Sequence, residues 1–371
     1  MFGHARHVWL VAFGVLACTG GPAPQASSAP TVTHASSGSP GPSVRPGPPS
    51  VDATPGGPHS LPPSTGNSPS ARRAIELIGS QPVLAASDLG DGHYGAILPA
   101  AYFLANGARH LYAVGFGEAM GDQRVFHASS IDGLAWAVDD TDPFAGLGLE
   151  LSPPGPVPGS VVQARDGDWW MYLWGYPAPQ RTVSALFRAT ADDPAGPWIA
   201  DAEPVLQVGD RGDWDDGAID FPSVTATADG YLMLYAANGG DHPNEARIGG
   251  ATSPDGIAWD KLGLLLQPEA CGGVDSDFIA IPRIAPFEDE YVLLFLLSDE
   301  IGMARSSDGA AWTCADDFPL LTHRDIPRST RIHTLAAARD GDDISLVIES
   351  LFNGDGGEVI SELWLGRLAV D

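Results

Sequence analysis

From about residue 73 onward, short apolar runs alternate with turn dipeptides, and five of the runs are rich in aromatic and branched residues: HLYAVGF, DWWMYLWGY, YLMLYAAN, YVLLFLLS and ISLVIES. Each is too short for an ordinary helix and reads as an inner strand. Each follows a turn pair, Asn106-Gly107, Asp166-Gly167, Asp229-Gly230, Glu288-Asp289 or Asp340-Gly341, and all but the fourth are typical of tight hairpins. A second apolar strand precedes every turn: ILPAAYFL, PVPGSVVQA, DFPSVTAT, AIPRIAPF and RIHTLAAA. Proline occupies 99, 158, 222 and 282 in the first four, and His333 takes its place in the fifth. After a third strand, a turn ends in tryptophan at Trp136, Trp198, Trp259 and Trp312.

Four strands per unit, repeated five times at roughly 50 to 65 residues, predict an all-β five-bladed β-propeller. The fifth unit stops after ISELWLGRLAV, one strand short. The opening segment AIELIGSQPVL shares the proline-hydrophobic pattern of EPVL at Pro204 and FPLL at Pro319. It is therefore expected to close the fifth blade, making one domain of residues 73–371.

The preceding residues carry a different signal. Residues 1–17 hold Arg6 and the apolar run VWLVAFGVLA, an export signal too short to span a bilayer. Val15-Leu16-Ala17-Cys18 resembles the lipobox of bacterial lipoproteins, which implies cleavage before Cys18 and its acylation, with Thr19 favouring the outer membrane. Residues 18–72, from Cys18 on, are almost wholly Gly, Pro, Ala, Ser and Thr with no core-forming content, a disordered tether. The expected location is the cell envelope, with membrane contact only through the lipid. Forty-seven acidic against 19 basic residues, a net charge of -28, oppose a phosphate backbone, so nucleic acid is excluded as a partner. A monomer is expected.

The S-x-D-G-x-x-W turn and the P-x-V strand followed by D-G and a tyrosine-ended strand resemble the five-bladed propeller glycosidases of families 43, 32 and 130. The likeness covers about residues 74–371. The sialidase Asp-box spaces its Asp and Gly one residue further apart, so the pattern points away from a six-bladed ring. The resemblance implies carbohydrate as partner and carboxylates at the pocket end of the innermost strands.

Asp220, two residues before Pro222, falls where these families keep their acid, although they use Glu. In the first blade they place Asp before the proline, where this chain has Leu98. Asp91 and Asp88 are the nearest acids, with Asp91 preferred over Asp277 as the partner carboxylate. Pro158-Gly159-Ser160 supplies none in the second blade, and Glu150 is the nearest acid. The same rim gathers Trp214, Asp215, Asp216, Asp275, Asp277, Arg328 and Arg331, of which Trp214, Asp216 and Arg331, together with Tyr94, are the expected sugar contacts. Asp215 and Asp216 read first as residues of a solvated loop.

His333 falls where family 43 members place a histidine near a metal-filled axial channel. No cofactor is required; calcium on the axis, held by His333 through water, is the one the resemblance allows. His333 reads equally as a core histidine. A glycoside hydrolase is the first functional reading, a glycan-binding propeller the second and a protein scaffold the third. Cys271 and Cys314 remain open: an oxidising compartment favours pairing, whereas the topology sets them at opposite ends of a blade.

Overall fold

Each aromatic run forms the second strand of an antiparallel meander, and five such meanders make the domain. The structure, a computed structural model, describes residues 74–90, 94–117, 122–178, 183–273, 276–354 and 357–370. The export signal, Cys18, the tether, Asp91 and Asp275 lie outside the described residues.

The five innermost strands are Ala96–Ala105, Leu151–Gln163, Ala218–Ala226, Ile279–Pro286 and Arg331–Asp340, one for each of blades one to five. The aromatic runs pair with them as Ala108–Phe116, Trp169–Pro177, Tyr231–Asn238, Tyr291–Leu297 and Asp343–Asn353. These central strands are almost wholly buried, as their composition requires. Among the described residues the only helices are short 3-10 pieces, and none is long and apolar enough to cross a membrane.

The fifth blade is closed by the N-terminal segment. Glu76–Leu77 and Leu84–Ala85 both pair with its third strand, Val359–Ala369. A two-piece outer edge recurs in blade two, where Ile199–Ala200 and Leu206–Gln207 share the strand Ala185–Ala191. Blade four repeats it with Thr313–Cys314 and a bridge from Leu321 to Ile301. Short, interrupted edges offer a second chain little to pair with.

The tryptophan turns owe their signature to hydrogen bonding. Asp132 Oδ1 accepts from the N–H groups of Leu134 (2.8 Å) and Ala135 (3.0 Å), and Ser130 Oγ accepts from Gly133 (2.8 Å). Trp136 Nε1 donates to the Gly133 carbonyl at 2.8 Å. Ser253 to Trp259 and Ser306 to Trp312 repeat every one of these contacts. The backbone donors at Ala135, Ala258 and Ala311 lead in holding Asp132, Asp255 and Asp308 below the usual carboxylate range. Blades then lock to one another through these turns. Tyr112 of blade one donates to Pro194 O of blade two (2.7 Å), and Tyr172 of blade two to Gly256 O of blade three (2.9 Å). Trp198, fully buried, donates in turn to the Tyr112 hydroxyl at 2.7 Å.

Every innermost strand also breaks register, between Pro99 and Ala101, Pro158 and Ser160, Asp220 and Ser223, Ala280 and Arg283, and Ile332 and Thr334, with a second break in blade two between Ser152 and Val157. Such bulges bend a strand and re-aim its side chains. Glycine at the blade-two bulge has a steric reason: a Cβ on Gly159 would stand 2.4 Å from the Pro222 carbonyl oxygen. The close approach of blades two and three there leaves no room for a carboxylate.

Cys271 and Cys314 are joined, with Cα atoms 5.3 Å apart. The expected separation fails because the link between blades three and four forms a 3-10 turn, Pro268–Cys271, that packs beside the outer strand Thr313–Cys314. The bridge ties a crossover to a blade edge.

Candidate functional site

At the N-terminal ends of the inner strands, blades three, four and five surround a cavity of about 320 Å³. Asp220 and Phe221 come from the start of the third inner strand, Ala280 from the fourth and Arg331 from the fifth. Asn238, at the exit of the second strand of blade three, and Ser298 and Asp299, at the equivalent turn of blade four, add polar groups. Phe278 supplies an aromatic wall.

Asp220 is the most perturbed acid of this site. It is 7% exposed, and its Oδ1 is buried with no hydrogen-bond partner. Desolvation pushes its carboxyl up to about 7, with the hydroxyl of Ser184 opposing the rise only in part. The strand is anchored immediately before it: Ser184 Oγ accepts from Ile219 N–H (2.9 Å) and donates to Ile219 O (2.8 Å). On the far side, Phe221 sits at φ 52° inside the bulge and packs 5.4 Å from Trp174, whose buried indole N–H is also unpartnered. The acid is held between two fixed neighbours in apolar surroundings.

The same joint recurs at the seam of blades five and one, where Ser361 Oγ accepts from Ile97 N–H at 3.1 Å. Ile97 and Ile219 are therefore equivalent, and Leu98 stands where Asp220 stands. The first blade offers no carboxylate at that level. Asp88 instead caps a local turn through the Ala85 N–H (2.8 Å), and Glu150 is exposed, its carbonyl accepting from Ala178.

A second carboxylate reaches the cavity from a position the sequence did not single out. Asp299 lines it and pairs with Arg331 Nε at 2.8 Å. Its signal was present: an acid directly after the run YVLLFLLS, at a strand exit on the pocket side. Arg331 is thus a cavity residue, as its place on the rim suggested.

Other rim candidates are occupied elsewhere. Trp214 stacks on Tyr235, centroids 6.1 Å apart, and lies over Gly249, where a Cβ would meet its ring at 2.6 Å. Asp215 is buried between Lys261 Nζ (2.7 Å) and the Tyr235 hydroxyl (3.2 Å). Asp216 accepts from the N–H groups of Gly212 (2.7 Å) and Gly240 (2.5 Å), which hold its carboxyl low. Together these residues pin the loop before blade three. Asp277 is exposed, and its carbonyl accepts from Ala246 N–H. Arg328 covers Phe352 at 4.6 Å. Tyr94 packs edge-on against Phe126, 5.2 Å away, in the core of blade one. None of these residues is among those lining the cavity.

His333 occupies the bulge of the fifth inner strand, and its Nδ1 lies 2.9 Å from Oε2 of the buried Glu349. Glu349 Oε1 in turn lies 2.9 Å from Ser361 Oγ, so the pair belongs to the seam between blades five and one. Calcium prefers six to eight oxygen ligands. Among the described residues no group of three or more His, Cys, Asp or Glu side chains is placed to hold a metal. The carbonyls of Ala100, Pro282 and Leu335 in the axial channel already accept from Arg283.

No family model matches the sequence, and no curated protein does. Solved structures do match the fold. A thermostable family 43 glycoside hydrolase superposes with a TM-score of 0.58 at 16% identity, covering 72% of this chain and 88% of its own. A family 117 glycoside hydrolase of the marine bacterium Zobellia galactanivorans gives 0.56 at 15%, covering 81% and 92%. The catalytic domain of a family 62 α-L-arabinofuranosidase from Coprinopsis cinerea gives 0.55 at 13%, covering 80% and 96%. The chain thus has the five-bladed β-propeller fold that these glycoside hydrolases share.

Proposed function

We propose that this protein is a surface-anchored carbohydrate-active propeller that hydrolyses glycosidic bonds, with Asp220 as the proton donor. The observation that carries the reading is the buried Asp220 carboxyl, unpartnered at Oδ1 and pushed up to about 7 by desolvation, on the wall of an open cavity. A general acid needs such a setting. Asp299, paired with Arg331, is the second carboxylate available there, and a pair of carboxylates flanking the bond is the usual requirement for glycoside hydrolysis. The cavity volume lies at the small end of ligand pockets and suits one or two sugar rings, with Phe278 as a stacking face.

Incubation of the purified protein with a panel of plant, fungal and bacterial glycans tests the proposal. Arabinose-substituted polymers come first, because one fold neighbour is an α-L-arabinofuranosidase. Release of reducing sugar from at least one glycan is expected. Binding without release from any of them would leave glycan recognition alone as the function, a second reading favoured by Leu98 in the place of a first-blade acid.

The anchor rests on Val15-Leu16-Ala17-Cys18 and the tether behind it. Cys18→Ser is expected to move the protein from the membrane fraction to the soluble one. Unchanged sedimentation with membranes would refute acylation at that position.

A further inference from the structure

The opposite end of the axial channel holds a second cavity, about 160 Å³, with walls from all five inner strands, including Tyr102, Ser160, Ser223, Arg283 and Ala338. Arg283 is its charged group and is 3% exposed. The side chain crosses the channel from blade four. Nε donates to Leu335 O of blade five (2.8 Å), one terminal nitrogen to Pro282 O (3.1 Å) and the other to Ala100 O of blade one (3.2 Å). All three acceptors are neutral carbonyls. Among the described residues no carboxylate pairs with this guanidinium. A buried, uncompensated cation is costly, which distinguishes this position from an ordinary core contact.

The remaining hydrogen-bonding capacity is all donor. A guanidinium has five N–H groups, and after the three bonds above each terminal nitrogen keeps one. Ser160 Oγ and Ser223 Oγ accept from the N–H groups of Val224 and Ile284, both at 3.0 Å, so each hydroxyl proton is left to give. Desolvation lowers Arg283 to about 9, so it stays charged at neutral pH. The space accommodates one small oxyanion with a water or two. Half-buried Val162, Pro286 and Ala338 stand among the lining residues, so the chamber is reached from the face away from Asp220.

We infer that this axial chamber is an anion site, in which Arg283 with Ser160 and Ser223 binds a small oxyanion or carboxylate independently of the sugar pocket. Its occupant supplies the counter-charge that the chain itself withholds.

Thermal melting of the full-length protein in phosphate, acetate and chloride at matched ionic strength tests this. A saturable rise of several degrees with phosphate alone assigns an inorganic oxyanion, and the same rise with acetate assigns a carboxylate. Arg283→Met should abolish the response, while Arg331→Ala, in the other cavity, should keep it. Equal melting of the wild type in all three salts, or an unchanged response in Arg283→Met, overturns the assignment. Should Arg283→Met not fold, calorimetric titration of wild type and Arg331→Ala with phosphate and acetate decides. One site retained in both proteins supports the chamber, and no binding heat, or heat lost in Arg331→Ala, rejects it.

Discussion

Asp220→Asn is expected to cut turnover by orders of magnitude and, at the same time, to make the protein more stable at neutral pH. The unfolded carboxyl titrates near 3.8 and the folded one at about 7. Between those values the folded protein holds a proton that the unfolded chain has released. Stability contributed by the neutral acid is therefore present at low pH, declines as pH rises through that window and levels off above about 7. The two values correspond to a penalty of about 4 kcal/mol at alkaline pH, an upper figure for a group this desolvated. Asparagine carries no charge and avoids it. Denaturant midpoints of both proteins from about pH 4 to about pH 8 should diverge steadily in favour of the variant. A constant difference across that range would mean that water reaches the carboxyl and the acid assignment lacks its physical basis.

On a cleaved glycan the same substitution removes the proton donor, and turnover should fall about 10²- to 10⁴-fold with substrate binding retained. Wild-type activity should decline above about pH 7, where Asp220 loses its proton. This opposition of activity and stability belongs to a group kept for chemistry at the expense of packing.

Removing the Cys271–Cys314 bridge with paired serines is expected to cost about 3–4 kcal/mol. The cysteines lie 43 residues apart, and closing a loop of that length restricts the unfolded chain by about 4 kcal/mol in the chain-entropy account. Cys271 is also buried in the cluster that joins blades three and four, so the serine hydroxyl adds a desolvation cost there. Denaturant unfolding of the double variant, and of the wild type with and without reductant, measures the effect. A loss below about 1 kcal/mol would show that the crossover is held by packing alone.

The blades were legible because their signals are local. A Ser, an Asp two residues on and a Trp four further form one hydrogen-bonded turn whichever blade they belong to, so the pattern survives repetition. Closure by the N-terminal segment was legible for the same reason, since Leu84–Ala85 carries the proline-hydrophobic signature of the other outer edges. Asp220 was found by its offset from a proline on the inner strand. Of the rest of the pocket only Arg331 was, because Asn238 and Asp299 follow the second strands of two blades and meet Arg331 only when three blades converge. Trp214, Asp215 and Asp216 were read as a rim, yet their hydrogen bonds and stacking turn inward to fix their own loop. Arg283 left no local trace, since a lone arginine within AIPRIAPF gives no hint that its side chain reaches two other blades.

Ring closure also sets a clock on biosynthesis. Glu76–Leu77 and Leu84–Ala85 leave the ribosome before any blade, yet their partner strand, Val359–Ala369, is the last strand of the ring to be made. At about 5–20 residues per second, the interval is roughly 15–60 s. Throughout that time the first segment is a strand without a sheet and the growing array an arc with two raw edges. Four meanders can fold as they emerge, because their contacts are sequential, but the circle cannot seal until Val359–Ala369 has been made. Premature termination before that strand would therefore cost the whole ring its seam, including the Ser361–Ile97 link that carries blade five onto blade one.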